Sequence, residues 1–375
     1  MNRISRMILA SLLAATLAAC TGATSGEAPV ATTHQTLSDP ALQQLATKSA
    51  AGLAASLPAG GVVVAVFHGD SLAIASAGMQ PDGTPLPANG AWRIASVTKP
   101  FMATLTLRAA AEGLVRLDAP VADYVDMDIP EDITIADLLR HTSGIFNYVE
   151  DPTIRNELIA DLDRVWQPET LVDLALEQTQ FNGTHEFSYS NTNYLLIGMI
   201  LEAVTGDSAA DLLQDAIVEP LGLDATYLTM PNRSDQEPKP VPAFSQYVPN
   251  AMAPDGDFVF PAVVSSEWTA GAMVSDGDDL ATFVRAVFDG RLLDDASLNA
   301  MTDLAPGTHY GLGLARNPEV RTPVWGHTGE TIGYVTELLY APSVDRGVVI
   351  GFTTDDLPED SESDALEVMR DLLKL

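Results

Sequence analysis

The sequence predicts a mixed α/β protein of the α+β type, in which a helical segment is inserted between strands from the two ends of the chain. Two observations lead to this prediction. Apolar runs typical of buried strands lie near both ends, whereas from residue 96 to about 305 most apolar residues recur at helical spacing. We therefore expect the sheet to comprise about 38–95 and 306–375, and the helical lobe about 96–305, within one folded domain, 38–375.

The N-terminal segment is typical of an export signal. Residues 1–19 have a basic start and an apolar run that is too short to span a bilayer as a free-standing helix. The run ends in Leu17-Ala18-Ala19-Cys20, which resembles a bacterial lipoprotein box, so we expect a lipidated Cys20 to hold the exported protein at a membrane of the cell envelope. An ordinary signal peptide with an incidental cysteine is the alternative. Residues 20–37, rich in Thr, Ala, Gly and Ser, predict a flexible tether.

A helix and three strands are predicted at the start of the domain. Asp39 and Pro40 suit the cap and the first position of the helix. Gly69-Asp70 predicts a turn between the first two strands. The strand patterns are Val62–Phe67, Leu72–Ala77 and Trp92–Ala95, and the last of these leads to Ser96.

The same patterns predict the helices, strands and loop in the rest of the domain. Apolar spacing predicts a helix over Phe101–Leu114, with Gly113 suited to its C-terminal cap. Proline-rich Pro231–Pro242 predicts a long surface loop. Strand patterns return at Thr322–His327, Gly333–Tyr340 and Gly347–Thr353, and a final helix is predicted over about Glu362–Leu373.

Charge and composition exclude several functions. The chain has 51 acidic and 19 basic residues and a net charge of −32, so nucleic acid is not an expected partner, because phosphate binding needs patches of Lys and Arg. The dispersed acidic residues indicate either an ordinary soluble surface or adaptation to high salt, which screens self-repulsion. The six histidines lack metal-ligand spacing, and Asp276-Gly277-Asp278-Asp279 lacks the spacing of a calcium loop. We therefore expect no metal and no cofactor.

One pair of residues carries the strongest chemical signal. Ser96 and Lys99 lie three residues apart at a predicted helix start and would share one face of that helix. The chain has only four lysines, and no other lysine has a serine three residues before it. A buried lysine with a lowered pKa can activate a serine hydroxyl, and a helix N-terminus favours a developing anion. We predict Ser96 as a nucleophile activated by Lys99; a helix-capping serine is the alternative.

Two further patterns give the chain a family resemblance. Tyr189-Ser190-Asn191 precedes a strongly apolar stretch, and His327-Thr328-Gly329 lies in a strand-like run. With S-x-x-K, Y-x-N and [HK]-[ST]-G in this order, the chain resembles the penicillin-recognising serine hydrolases. More narrowly, it resembles the branch that holds class C β-lactamases, serine D-alanyl-D-alanine carboxypeptidases and their esterase relatives. The resemblance runs from about Leu57 to Phe352.

The resemblance implies an antiparallel sheet flanked by helices, with an all-helical lobe and the active site where sheet and lobe meet. It implies that Ser96, Lys99 and Tyr189 are catalytic. Tyr189 would be a base or proton shuttle whose phenolate Lys99 could stabilise. The backbone N–H groups of Ser96 and Glu330 would form the oxyanion hole.

The resemblance also implies supporting residues. Asn191 would hydrogen-bond both the lysine and a substrate amide. Gly329, next to Thr328, would let the substrate lie against the strand edge, because it has no side chain. His327 stands where class C β-lactamases have lysine; it would bind Tyr189 or a substrate carboxylate and would titrate near neutral pH.

The sequence therefore predicts an envelope-anchored serine hydrolase that acts on a small-molecule or peptide substrate through an acyl-enzyme on Ser96. We favour D-Ala-D-Ala carboxypeptidase-like or esterase-like activity, because His327 replaces the β-lactamase lysine. A class C-type β-lactamase is one alternative, and a penicillin- or muropeptide-binding protein with little turnover is another. We interpret His141-Thr142-Ser143-Gly144 as a structural turn, and the absence of G-x-S-x-G argues against an α/β-hydrolase elbow.

Overall fold

The computed structural model of the chain describes residues 30–31, 39–181, 183–231, 239–248, 258–358 and 364–375. Cys20, the predicted signal segment, most of the predicted tether and most of the predicted loop Pro231–Pro242 lie outside these residues. Residues 30–31, within the predicted tether, form a short strand. No helix in the described part of the chain is both long enough and apolar enough to cross a membrane.

Most strands belong to one antiparallel sheet. The strands of the described residues are β1 Val30–Ala31, β2 Gly61–His68, β3 Ser71–Gly78, β4 Trp92–Arg93, β5 Tyr227–Leu228, β6 Met273–Ser275, β7 Ala315–Asn317, β8 Val324–Thr331, β9 Tyr334–Ala341 and β10 Arg346–Phe352. Seven of them form the sheet in the order β1-β3-β2-β10-β9-β8-β7. The two ends of the chain meet where β2 pairs with β10, with Val64 opposite Ile350. The predicted fold class, with strands from both ends in one sheet, is confirmed.

The inserted segment is mainly, but not entirely, helical. Strands β4, β6 and β5 form a second, three-stranded antiparallel sheet, and β5 and β6 lie within the lobe that we expected to be all-helical. These strands have two or three residues each, which is too short to show a periodic pattern. This small sheet matters for the site because β4 leads directly to the predicted nucleophile.

The helices flank the sheet and build the lobe. In the described residues they are α1 Pro40–Ala54, α2 Thr98–Ala111, α3 Ile135–Leu139, α4 Pro152–Ala160, α5 Pro168–Gln178, α6 Thr192–Thr205, α7 Ala209–Leu213, α8 Glu219–Leu221, α9 Pro261–Gly271, α10 Gly277–Phe288, α11 Asp295–Thr302 and α12 Asp364–Leu372. The Asp39 side chain caps α1 as predicted, accepting from the N–H of Ala41 at 2.8 Å. Helix α2 starts at Thr98, earlier than the predicted Phe101, which places Lys99 in its first turn.

The alternation of side chains along β2 divides the core into two layers. Val62, Val64 and Val66 face the layer that holds α1 and α12. Val63 and Phe67 face the larger core, which the sheet shares with α2, α6 and α10. Helix α2 is buried along almost its whole length. Its N-terminus is consequently held between the sheet and the lobe, where the predicted site should lie.

Candidate active site

Ser96 lies at a sharp backbone bend between a strand and a helix. A 3₁₀ turn, Ala95–Val97, joins β4 to α2. Ala95 has φ = 48°, a left-handed conformation that is uncommon for a residue with a side chain and is found at functional sites. Ala95 and Val97 are buried, whereas Ser96 is partly exposed. The bend therefore presents the serine hydroxyl at the junction of sheet and lobe.

Lys99 is buried one helical turn away and contacts the serine directly. Its Nζ lies 2.9 Å from Ser96 Oγ, 2.8 Å from Asn191 Oδ1 and 2.8 Å from the Ala270 carbonyl oxygen. Burial lowers the pKa of Lys99 well below its usual 10.5, and the charge of Glu267 opposes this shift only in part. The amide and carbonyl oxygens can only accept hydrogen bonds. A neutral Lys99 amine can therefore accept a proton from only one of these partners, the Ser96 hydroxyl.

Asn191 is held in place by a residue that the sequence did not single out. Its backbone N–H donates to Asn147 Oδ1 at 3.0 Å, while its side-chain oxygen accepts from Lys99. Asn191 directly precedes α6, so its hydrogen bond to Lys99 connects this helix of the lobe to the proposed general base. The predicted contact between Asn191 and Lys99 is present.

Tyr189 lies over the same lysine, but its protonation state differs from the expectation. Lys99 Nζ is 4.9 Å from the centre of the Tyr189 ring. The hydroxyl is buried beside Ser96, with no well-aligned hydrogen-bond partner among the described residues. Burial raises the pKa of Tyr189 above 10, and the Ser96 side chain lowers it by less. The expected phenolate is therefore wrong at neutral pH: burial keeps Tyr189 a neutral phenol, which can relay a proton but is not a standing base.

His327 also differs from its predicted behaviour. Its Nε2 lies 2.8 Å from the Tyr310 hydroxyl, and its Nδ1 lies 2.5 Å from the Thr328 carbonyl oxygen. A carbonyl only accepts, so Nδ1 carries the proton and Tyr310 donates to Nε2. Burial, aided by the charge of Lys99, lowers the pKa of His327 to about 3. The expectation that His327 titrates near neutrality is wrong, and both of its nitrogens already have partners.

Gly329 provides a close approach between β8 and the nucleophile. A Cβ atom on Gly329 would lie 2.3 Å from the Ile94 carbonyl oxygen and 2.8 Å from the Ser96 nitrogen. The missing side chain thus makes room for the backbone at Ser96, in addition to any room for a substrate. Strand β7 pairs only with Val324–Gly326, so the part of β8 that carries Thr328 and Glu330 extends beyond it. This geometry is compatible with the predicted oxyanion hole at the N–H groups of Ser96 and Glu330.

An ion pair between buried Arg93 and partly exposed Glu267 lies next to the site, and no sequence motif predicted it. Arg93 Nη2 lies 2.5 Å from Glu267 Oε2, and the Thr331 hydroxyl donates to the other carboxylate oxygen at 2.5 Å. Glu267 belongs to α9, three residues before Ala270, whose carbonyl binds Lys99. Because Arg93 and Glu267 are 174 residues apart, only the fold reveals their contact. The pair links the strand before Ser96 to the helix behind Lys99.

The family comparison agrees with this geometry. The family model described as Beta-lactamase matches residues 46–373. The chain belongs to the beta-lactamase family. As a member of this family it is a serine hydrolase, and the resemblance drawn from the three motifs is confirmed.

Proteins similar to this beta-lactamase family member are named for different activities. The chain is 26% identical to Penicillin-binding protein 4 of Amycolatopsis lactamdurans over 334 residues, covering 79% of this chain and 80% of the relative. Its fold is similar to that of a D-stereospecific amidohydrolase from a Streptomyces species, with a TM-score of 0.73, 30% identity, and coverage of 87% of this chain and 97% of the other. A D-amino acid amidase from Ochrobactrum anthropi aligns with a TM-score of 0.71 and 26% identity over 89% and 99% of the two chains.

The geometry fits the chemistry of a beta-lactamase family hydrolase. The described residues contain no group of three or more His, Cys, Asp or Glu side chains that could hold a metal. They do bring together Ser96 from the 3₁₀ turn, Lys99 from the first turn of α2, and Tyr189 and Asn191 from the segment before α6. At the N-terminus of α2, this set provides a nucleophile, a buried amine and a neutral phenol.

Proposed function

We propose that this beta-lactamase family member hydrolyses small amides and esters, including those of D-amino acids, through an acyl-enzyme on Ser96. The observation that carries the proposal is the 2.9 Å contact between Ser96 Oγ and the buried Nζ of Lys99, whose pKa is lowered. The full-length similarity to a D-stereospecific amidohydrolase supports the amide part of the proposal.

The charges around the site favour a substrate without a carboxylate. His327 is neutral near pH 7, because burial lowers its pKa to about 3. Lys99 and Arg93 are buried and bound to other protein groups. Of the two exposed residues next to Gly329, Thr328 and Glu330, the second is an acid. β-Lactams and the ends of D-Ala-D-Ala peptides carry carboxylates that a cation would bind, so these substrates fit the site less well than amides and esters without a carboxylate do.

The proposed reaction has two acyl-transfer steps. Ser96 Oγ attacks the substrate carbonyl while Lys99 Nζ takes the hydroxyl proton. Tyr189 passes its proton to the leaving amine or alcohol and regains one from Lys99, while the C–N or C–O bond breaks to leave an ester on Ser96. Water then attacks the ester carbonyl and gives up a proton to Lys99; the bond to Ser96 Oγ breaks, the acid is released, and the proton returns to Ser96. The N–H groups of Ser96 and Glu330 would stabilise the oxyanion in both steps.

A substrate panel tests the proposed function. Purified protein would be assayed with D-phenylalanine amide, p-nitrophenyl butyrate, a D-Ala-D-Ala peptide and nitrocefin, with Ser96→Ala as the control. We expect kcat/KM to be larger for the amide and the ester than for the two carboxylates. Nitrocefin hydrolysis that outpaces the others would assign a β-lactamase instead. A β-lactam adduct that persists, with no turnover of any substrate, would assign a penicillin-binding protein.

Glu330 gives a prediction about substrate charge. D-phenylalanine amide carries an ammonium group, whereas its N-acetyl derivative is neutral. Glu330→Gln should lower kcat/KM for the charged amide relative to kcat/KM for the neutral derivative by about two- to fivefold, the range expected for an exposed ion pair. The measurement is the ratio of the two rate constants at low ionic strength. Glu112→Gln, at an exposed position after α2, is the matched control and should leave the ratio unchanged. An unchanged ratio in Glu330→Gln would contradict a role for its charge.

We also propose that the protein is exported and anchored in the bacterial envelope through a lipidated Cys20. The support is the lipoprotein-like segment at the N-terminus. Cys20→Ser should move the protein from the membrane pellet to the soluble fraction, with activity per molecule unchanged. The measurement is fractionation with immunodetection after expression of the full chain. A wild-type protein that is already soluble, with a mature N-terminus at another residue, would contradict the anchor.

A further inference from the structure

His141 makes three separate contacts with the Tyr189 segment. The Ser188 N–H donates to the His141 carbonyl oxygen at 2.8 Å, and the Ser190 N–H donates to His141 Nδ1 at 3.2 Å. The imidazole also packs on the Tyr189 ring, with ring centres 4.2 Å apart and planes inclined by 36°. One residue therefore binds the backbone on both sides of Tyr189 and its ring.

The backbone conformation of His141 makes these contacts possible. His141 has φ = 59°, in the left-handed region that few non-glycine residues adopt. The turn is fixed by Thr142, whose N–H donates to the Asp137 carbonyl at 2.9 Å and whose hydroxyl donates to Asp137 Oδ1 at 2.6 Å. Asp137 in turn completes a capping box with Thr134 at the start of α3. The predicted structural turn is thus present, and it directs both acceptors of His141 towards 188–190.

The hydrogen-bond pattern of the imidazole is not that of a simple packing residue. Nδ1 accepts from a backbone N–H, so the ring proton lies on Nε2. Nε2 is buried and has no hydrogen-bond partner among the described residues. The imidazole packs among aromatic rings, including those of Tyr194 and Tyr310, whose centres lie 5.4 and 5.0 Å away. A phenylalanine would pack there without leaving a polar atom unpaired, so what a histidine adds is the Nδ1 acceptor.

Among the described residues, the Tyr189 ring also lies 4.9 Å from Lys99 Nζ and 6.3 Å, centre to centre, from the His327 imidazole. The residues before Tyr189, 183–188, are exposed, and its hydroxyl has no well-aligned partner in the described chain. On its C-terminal side, the Ser190 hydroxyl donates to the Phe146 carbonyl oxygen at 3.3 Å, and Asn191 is held by Asn147. These bonds fix the chain after Tyr189, but not the Tyr189 ring.

We propose that His141 is the positioning residue of Tyr189: it holds the phenol against Ser96 and Lys99 through its carbonyl, its Nδ1 and its ring. This inference rests on the proposed function, in which Tyr189 relays the proton. His141 itself does not contact the reacting atoms. Loss of His141 should lower kcat and leave KM almost unchanged, because the groups that bind the substrate remain in place and only the Tyr189 phenol is displaced.

Two variants of His141 separate its contacts. His141→Phe keeps an aromatic ring on Tyr189 and removes the Nδ1 acceptor. His141→Asn keeps an acceptor near the Nδ1 position and suits the left-handed backbone, but it removes the ring. We expect kcat to fall about 10- to 100-fold in His141→Phe and less in His141→Asn, since a misplaced catalytic group costs up to about 10²-fold. Thermal midpoints confirm that each variant is folded.

A double-mutant cycle with Tyr189→Phe decides whether His141 acts by positioning Tyr189 or whether its replacement disturbs the whole active site. If His141 acts through Tyr189, adding His141→Phe to Tyr189→Phe should cause no further loss of kcat. An equal fold-loss in both backgrounds would overturn the inference. Should His141→Phe fail to fold, the same cycle with His141→Asn gives the same test. Full activity of Tyr189→Phe alone would instead refute the proton relay of the proposed function, whatever the His141 variants do.

Discussion

Lys99→Met should lower kcat for p-nitrophenyl butyrate by at least about 10³-fold, within the range for loss of a general base at an activated nucleophile. Methionine has a similar length and no amine, so the Ser96 hydroxyl loses the amine that lies 2.9 Å away and is placed to take its proton. The same change removes a buried amine whose charged form burial disfavours, so the thermal midpoint should hold or rise. Activity should therefore fall without a fall in the thermal midpoint.

The pH profile adds a second measure of Lys99. The amine must be neutral to accept the serine proton, and burial lowers its pKa below 10.5. The wild-type rate should accordingly rise with pH through this lowered pKa, and the rising limb should be absent in Lys99→Met. His327, with a pKa of about 3, should add no transition between pH 5.5 and 8.5. Activity in Lys99→Met within tenfold of wild type would contradict the role of Lys99.

Gly329→Ala should cost about 10²- to 10³-fold in kcat, the range for loss of one oxyanion-hole donor. The new Cβ would lie 2.3 Å from the Ile94 carbonyl and 2.8 Å from the Ser96 nitrogen, so β8 must move away from the nucleophile. That movement would displace the N–H of Glu330 from the N–H of Ser96. The measurement is kcat for ester and amide substrates, together with the thermal midpoint.

A matched glycine provides the control for Gly329. A Cβ atom added to Gly52, in α1, would have no heavy atom within 4 Å, so Gly52→Ala should leave kcat unchanged and should not destabilise the helix. A normal rate in Gly329→Ala would contradict the close approach of β8 to Ser96. A loss of rate in Gly52→Ala as large as that in Gly329→Ala would show that the effect is not specific to the site.

Local sequence spacing predicted the residues that meet at the centre of the site. Ser96 and Lys99 are one helical turn apart, so their contact follows from helix geometry alone. Tyr189 and Asn191 came from a motif, and the structure brings both to Lys99. The long strands were predictable for the same reason, because buried strands leave continuous apolar runs.

The environment of these residues was not predictable, because it depends on packing between distant segments. Burial and the charge of Lys99 lower the pKa of His327 to about 3. The ring also binds Tyr310, a residue without a motif in the sequence analysis. The Arg93–Glu267 pair joins a strand to a helix 174 residues later. The two-residue strands β4 and β5 are too short for periodicity, and their pairing with β6 appears only in the fold.

The position of the acyl group tests the central claim most directly. Protein mixed rapidly with p-nitrophenyl butyrate and quenched in acid should show one added acyl group by intact mass, and peptide mapping should place it on Ser96. Ser96→Ala should show no adduct and no turnover. An adduct on another serine, or full turnover by Ser96→Ala, would contradict an acyl-enzyme on Ser96.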